Sequence, residues 1–167
     1  MSSVSYLPGS GSDILAMTDD AALIHATCVA IDGAGVLLRG PSGSGKSDLA
    51  LRLIDGGARL VADDQVAVSR EGRTVTARAP AALRGRMEVR GLGIVEIDPL
   101  DEAPVALVVD LAPPDFVERL PARHECDLLG APVRWMALSP FAASAPAKVR
   151  LAVRIATRDI RDGIQAP

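Results

Sequence analysis

Apolar residues in this chain come in short runs broken by glycine, aspartate and arginine, and most of the runs are too short for a helix. Ile24-His25-Ala26-Thr27-Cys28-Val29-Ala30-Ile31, then Asp32-Gly33-Ala34-Gly35, then Val36-Leu37-Leu38-Arg39 predicts two strands joined by a tight turn. Ser47 to Asp55 predicts a helix closed by Gly56-Gly57. Arg59-Leu60-Val61-Ala62 predicts a strand that delivers Asp63 and Asp64 at its end, and Val66–Arg70 with Arg73–Arg78 around Glu71-Gly72 predicts a hairpin. Further on, the segment from Glu88 to Ile97 holds Gly91 and Gly93 among apolar residues, which argues for a bulge or a close backbone approach. Val105–Leu111 and Val133–Leu138 predict strands, Asp115–Leu120 a helix of one or two turns, and Lys148–Asp162 a helix. In that last helix Val149, Ala152, Val153, Ala156 and Ile160 share one face, while Arg150, Arg154 and Arg158 form a stripe read as a solvated face. Residues 1–20, rich in Ser, Gly and Asp, are expected to be a flexible lead or short arm, and residues 21–167 one domain.

Composition narrows the possibilities. The 167 residues are 49% hydrophobic, enough for a core, yet only 2% aromatic, so that core is built from Ala, Val, Leu and Ile. With a net charge of −3 and no basic run, nucleic acid and membrane surfaces are poor partners, and aromatic stacking of nucleic-acid bases is not expected. Cys28 and Cys126 lie far apart, without metal-ligand spacing, and read as apolar fillers in a reducing, cytoplasmic setting. No apolar run approaches the roughly 20 residues that span a bilayer.

One stretch carries chemistry directly. Gly40-Pro41-Ser42-Gly43-Ser44-Gly45-Lys46-Ser47 fits the phosphate-binding loop, two glycines separated by four residues and followed by Lys and Ser. Glycines allow the tight turn that aims successive N–H groups at one anion. Lys46 adds a mobile positive charge, and Ser47 offers a hydroxyl to Mg²⁺. A strand before it and a helix after it supply the required context, because the helix N-terminus directs its dipole at the phosphates.

Phosphoryl transfer also needs carboxylates and cations. Asp63 and Asp64 stand at a strand end, where open α/β sheets place their ligand sites. Strand alternation sends the two in different directions, one toward the metal or nucleophile and the other to a supporting or acceptor-side role. Glu88 lies between Arg86 and Arg90 at spacing two. All three then share one strand face, as a surface ion-pair ladder or as a metal ligand beside two phosphate-binding cations.

The span from His25 through the phosphate loop, with Arg59-Leu60-Val61-Ala62-Asp63-Asp64 and Glu88-Val89-Arg90-Gly91-Leu92-Gly93-Ile94-Val95, resembles the catalytic domain of the HPr kinase/phosphorylase family. The likeness covers about residues 24–160, and Arg-Gly-Leu-Gly is its most specific part. It implies an α/β fold, a phosphate-loop mixed sheet with flanking helices similar to the phosphoenolpyruvate carboxykinase core. It also implies ATP- and Mg²⁺-dependent phosphorylation of a serine on the phosphocarrier HPr, regulating a phosphotransferase system, with pyrophosphate as an alternative donor and a hexameric homo-oligomer. By resemblance, Gly40, Pro41, Ser42, Gly43, Ser44, Gly45, Lys46 and Ser47 hold the phosphates, Lys46 stabilises the transferred group, and Ser47 and Glu88 ligate Mg²⁺. Asp64 acts as base with Asp63 in support, and His25 assists near the acceptor. Arg119 in Phe116-Val117-Glu118-Arg119-Leu120 matches the family's Phe-x-Arg-Leu arginine with one extra residue.

Some features depart from the family pattern. Longer members carry an additional N-terminal domain, which this sequence is expected to lack, and Asp48 replaces a usual Glu. The Gly-Arg basic loop tied to phosphorolysis is replaced by Ser139–Ala147, so the kinase direction is expected ahead of the reverse. Two other readings stay open: a small-metabolite kinase, and a nucleotide-binding sensor without transfer activity.

Overall fold

The computed structural model describes residues 14–157. Its centre is a hairpin of β3 (Thr27–Ile31) and β4 (Ala34–Arg39), paired antiparallel with Ile31 opposite Ala34. Asp32 and Gly33 between them have φ of 50° and 81°, the left-handed pair that a two-residue hairpin turn requires. β5 (Arg59–Ala62) flanks β3, while β10 (Glu102–Leu111) runs parallel to β4 on the other side. β12 (Ala131–Leu138) is parallel to β10 and carries β11 (His124–Leu128) antiparallel on its outer edge.

The other strands continue from the first half of β10. Glu102–Pro104 pair with β7 (Thr74–Arg78), followed by β6 (Gln65–Glu71), β2 (Ala21–His25) and β1 (Ile14–Met17). The sheet is therefore mixed and curls back on itself, with β10 belonging to both halves.

Side-chain alternation sorts the core into two clusters. Val29, Val36, Leu38, Leu60, Leu107 and Val109 face two helices, α1 (Lys46–Asp55) and α2 (Ala145–Ala156). Cys28, Ala30, Leu37, Val61 and Val108 face Ile24, Val66, Val68, Val75 and Ala77 of the other half. Covered on both sides, β3 and β4 read as continuous apolar runs rather than alternating ones. On the helices, Leu49, Ala50 and Leu53 of α1 and Ala145, Val149 and Val153 of α2 are the buried positions. Each of the larger ones contributes about 1.5–3 kcal/mol by leaving water. Arg150 of α2 ties the pair together by donating to Leu53 O at 3.2 Å, a cation at the negative end of α1.

Several sequence expectations need correction. Ile24–Ile31 is two strands, because the chain changes partners at Ala26. His25 pairs with Gln65 of β6 and Thr27 with Leu38 of β4, while Ala26 N–H donates to Asp64 O at 3.3 Å. Glu88–Ile97 folds as the hairpin of β8 (Arg86–Val89) and β9 (Gly93–Glu96). Its glycines serve the turn, with φ of 94° at Gly91 and 92° at Gly93. A β-carbon at either would meet nothing within 4 Å, so close approach is not their purpose. The helix expected over Asp115–Leu120 reduces to a 3₁₀ turn at Pro114–Phe116, and β11 forms where the apolar pattern predicts no element. α2 begins at Ala145, ahead of the expected Lys148, with Pro146 in its first turn where a missing N–H costs nothing. Its expected end, including Arg158 and Ile160, lies outside the described residues, as do residues 1–13 of the expected lead. Ile14–Met17 of that lead form a strand whose residues are all exposed.

Candidate functional site

Gly40–Gly45 form the turn between β4 and α1, and the backbone geometry explains the residue types. Gly43 and Gly45 have φ of 81° and 102°. A β-carbon at Gly40 would sit 2.5 Å from Ser44 Oγ, so only glycine lets that hydroxyl tuck beneath the strand end. Ser44 Oγ itself is buried and has no hydrogen-bond partner among the described residues. Lys46, the first residue of α1, is buried and folds back over the loop, donating to Gly40 O at 2.7 Å and Pro41 O at 3.0 Å.

One helical residue further, Ser47 Oγ donates to Asp63 Oδ1 at 2.8 Å. Asp63 follows directly on β5 and is 5% exposed. It also accepts from Thr27 Oγ1 at 2.9 Å through Oδ1 and from the Glu88 N–H at 3.2 Å through Oδ2. The first helical turn, β3, β5 and β8 thus converge on one carboxylate. Ser47 and Asp63 present hard oxygen donors side by side, and every hydrogen-bond partner named for Asp63 is neutral, a donor set that suits Mg²⁺.

Asp64 turns the other way. With φ of 70° it leaves the strand, its side chain 68% exposed, and its Oδ1 lies 3.2 Å from His25 Nε2 at the end of β2. The sheet crossover that separates β2 from β3 is what brings these two together, since Ala26 N–H bonds the Asp64 carbonyl between them.

Lys46, Ser47, Asp63, Asp64 and His25 are therefore gathered at the carboxyl end of the parallel strand β4, the expected region for an α/β ligand site. Glu88 joins through its backbone. Its side chain lies with Arg86 on the exposed face of β8, opposite buried Met87 and Val89, and Arg90 is exposed in the turn that follows. Arg119 is exposed and lies beyond the 3₁₀ turn at Pro114–Phe116. Among the described residues no group of three or more His, Cys, Asp or Glu side chains forms a metal cage. A divalent ion at Ser47 and Asp63 would need a ligand's oxygens to complete its shell.

Two groups of residues escaped the sequence reading. Thr27 looked like one more small residue in an apolar strand, yet it holds Asp63. Arg39, at the end of β4, makes a two-point ion pair with buried Asp110, Nε to Oδ1 at 2.9 Å and Nη2 to Oδ2 at 2.8 Å. Trp135 Nε1 donates to Asp110 as well. The available signal was a charge ending each of two apolar runs.

Fold and site define a mixed α/β protein built on a strand, a glycine loop and a helix, with a buried carboxylate behind the helix N-terminus. The chain belongs to the HPr serine kinase C-terminal domain family, whose model matches residues 16–113, more than half of it. It is 44% identical over 96 residues to the HPr kinase/phosphorylase of Lactobacillus delbrueckii, a stretch that is 53% of this chain and 30% of that protein. It is 51% identical over 75 residues to the HPr kinase/phosphorylase of Lactobacillus acidophilus, 44% of this chain and 23% of that one. The matches span less than a third of either relative. Among solved structures, the HPr(Ser) kinase/phosphatase of Coxiella burnetii superposes with a TM-score of 0.73 at 26% identity, covering 82% of this chain and 91% of the other. No helix among the described residues is long and apolar enough to cross a membrane.

Proposed function

We propose that this chain is an ATP- and Mg²⁺-dependent serine kinase acting on the phosphocarrier HPr, with a regulatory role in a phosphotransferase system. The observation that carries the reading is the pair of adjacent aspartates with divided surroundings. Asp63 is bonded to the hydroxyl beside the glycine loop, and Asp64 stands open beside His25. Family membership supports the same class of chemistry.

In this reading the N–H groups of Gly43 to Ser47 receive the nucleotide phosphates, and the Lys46 ammonium exchanges loop carbonyls for phosphate oxygens. Ser44 Oγ, without a hydrogen-bond partner among the described residues, is a further donor within the loop. Ser47 and Asp63 would hold Mg²⁺, with Glu88 closing from β8; the ion would supply charge neutralisation on the phosphates. The acceptor serine oxygen attacks the γ-phosphorus as the bond to the β-phosphate oxygen breaks. Its proton passes to the Asp64 carboxylate, which His25 orients. Arg119 would approach the transferred group. Pyrophosphate as alternative donor, a hexameric assembly, a cytoplasmic setting, a phosphoenolpyruvate carboxykinase-like core and a single domain over 21–167 complete the proposal.

Intact-mass spectrometry tests it. HPr incubated with this protein and Mg-ATP should gain one phosphate, and HPr with its acceptor serine changed to Ala should gain none. Lys46→Ala should abolish the gain, and Asp64→Asn should lower it at least 100-fold with nucleotide still bound. Unmodified HPr with wild-type protein that binds nucleotide would overturn the assignment in favour of a sensor or a metabolite kinase.

A further inference from the structure

Phe141 is one of only two phenylalanines in the chain and is 70% exposed, an expensive place for a benzyl side chain. Its location is specific. It lies between β12 and α2, in the connection that follows a strand parallel to β10, which is in turn parallel to β4. That places it at the same carboxyl end of the sheet as the glycine loop, two strands away from it. A β-carbon added to Gly45 would lie 3.0 Å from Phe141 Cζ, 3.2 Å from its Cε1 and 3.3 Å from Pro140 Cγ. The ring therefore meets the loop with its tip alone and leaves most of its surface in solvent.

The backbone that carries the ring is fixed to the same helix that begins at the loop. Arg52 of α1 donates to Pro140 O and, at 3.4 Å, to Ala142 O, and its Nε donates to Asp48 at 3.1 Å. One guanidinium thus clamps both residues flanking Phe141. Such a clamp holds an exposed aromatic at a set distance from the phosphate cradle. An apolar ring serving only the core would turn inward, where the first cluster lies directly under α1 and α2.

We propose that Phe141 is the platform on which the base of the bound nucleotide stacks, the residue that makes a nucleoside triphosphate a better ligand than its inorganic triphosphate. A single ring suffices, because every base has a π-face and one stacking contact is sequence-tolerant. The inference rests on the glycine loop binding nucleotide phosphates as proposed above. Phe141 makes no contact with the transferred phosphoryl group. It sets donor preference and affinity.

Calorimetric titration with Mg-ATP and with Mg-tripolyphosphate separates the two ideas. Wild-type protein should bind Mg-ATP more tightly than Mg-tripolyphosphate. Phe141→Ala should weaken Mg-ATP about tenfold, the size of one base–aromatic contact, and leave tripolyphosphate unchanged, while Phe141→Tyr should keep wild-type affinity for both. Equal weakening of both ligands by Phe141→Ala would assign the ring to support of the loop and overturn the platform, as would Mg-ATP affinity left at the wild-type value. Wild-type protein that binds neither ligand would remove the phosphate-binding reading itself, and the platform with it.

Discussion

Two carboxylates, Asp63 and Asp110, are buried among the described residues, both near the carboxyl ends of strands, and their surroundings differ in kind. Asp110 accepts two bonds from the Arg39 guanidinium and one from the Trp135 indole. It sits two residues beyond Val108, on the face of β10 turned toward the second cluster. Its charge is met within the protein. Asp63, beside α1, accepts from two hydroxyls and one backbone N–H. Those donors satisfy its geometry without cancelling its charge. A buried carboxylate with a matched guanidinium is a closed structural unit, whereas one with neutral donors is suited to a cation brought in by a ligand. Motif spacing cannot draw this distinction, because it depends on which strands the chain brings together.

The sharpest way to break the comparison is to remove Asp110. Asp110→Ala leaves the mostly buried Arg39 side chain without its carboxylate and should cost about 3–5 kcal/mol of stability. For a domain of this size that lowers the melting temperature by roughly 10 °C. A melting curve unchanged from wild type would show that the ion pair is not structural. Asp63→Asn should behave in the opposite sense. It preserves volume and most hydrogen bonding, so thermal stability should fall by about 1 kcal/mol, while Mg-ATP affinity should drop ten- to a hundredfold. If the two substitutions gave the same pattern, the division between a closed and an open carboxylate would fail.

What the sequence made legible follows the same boundary between local and non-local effects. The glycine loop, α1 and the hairpins β3–β4 and β6–β7 depend on residues within about 15 positions of each other, and their turn and cap residues announce them. By contrast, the partner change at Ala26 is invisible in a run that is apolar throughout, because Ile24, Ala26, Cys28 and Ala30 keep one alternation across it and all face the second cluster. β11 was hidden because His124-Glu125-Cys126-Asp127-Leu128 is an edge strand in which only Leu128 is buried. Strand alternation predicts the divergence of Asp63 from Asp64. The structure produces it differently, through the left-handed backbone at Asp64 just after β5 ends.

The two cysteines give the gentlest test, since each reports on one layer without disturbing it. Cys28 neighbours Thr27 on β3 but points into the second cluster, and burial pushes its thiol up to about 12. Cys126 on β11 is partly buried. Desolvation raises its thiol too, and nearby Arg39 acts in the opposite direction by favouring the thiolate. Thiolate is the reactive form, so iodoacetamide at pH 8 should label Cys126 first and Cys28 only as the whole domain opens. Because the folded state holds the Cys28 proton more tightly than the unfolded chain, its contribution to stability is fully present below about pH 9 and is lost progressively between pH 9 and about 12. In Asp110→Ala the labelling rate of Cys28 should rise with the fraction unfolded, and in Asp63→Asn it should stay close to wild type. Equal acceleration in both would mean that the helix side and the ion-pair side open together, and that Asp63 holds the fold as firmly as Asp110 does.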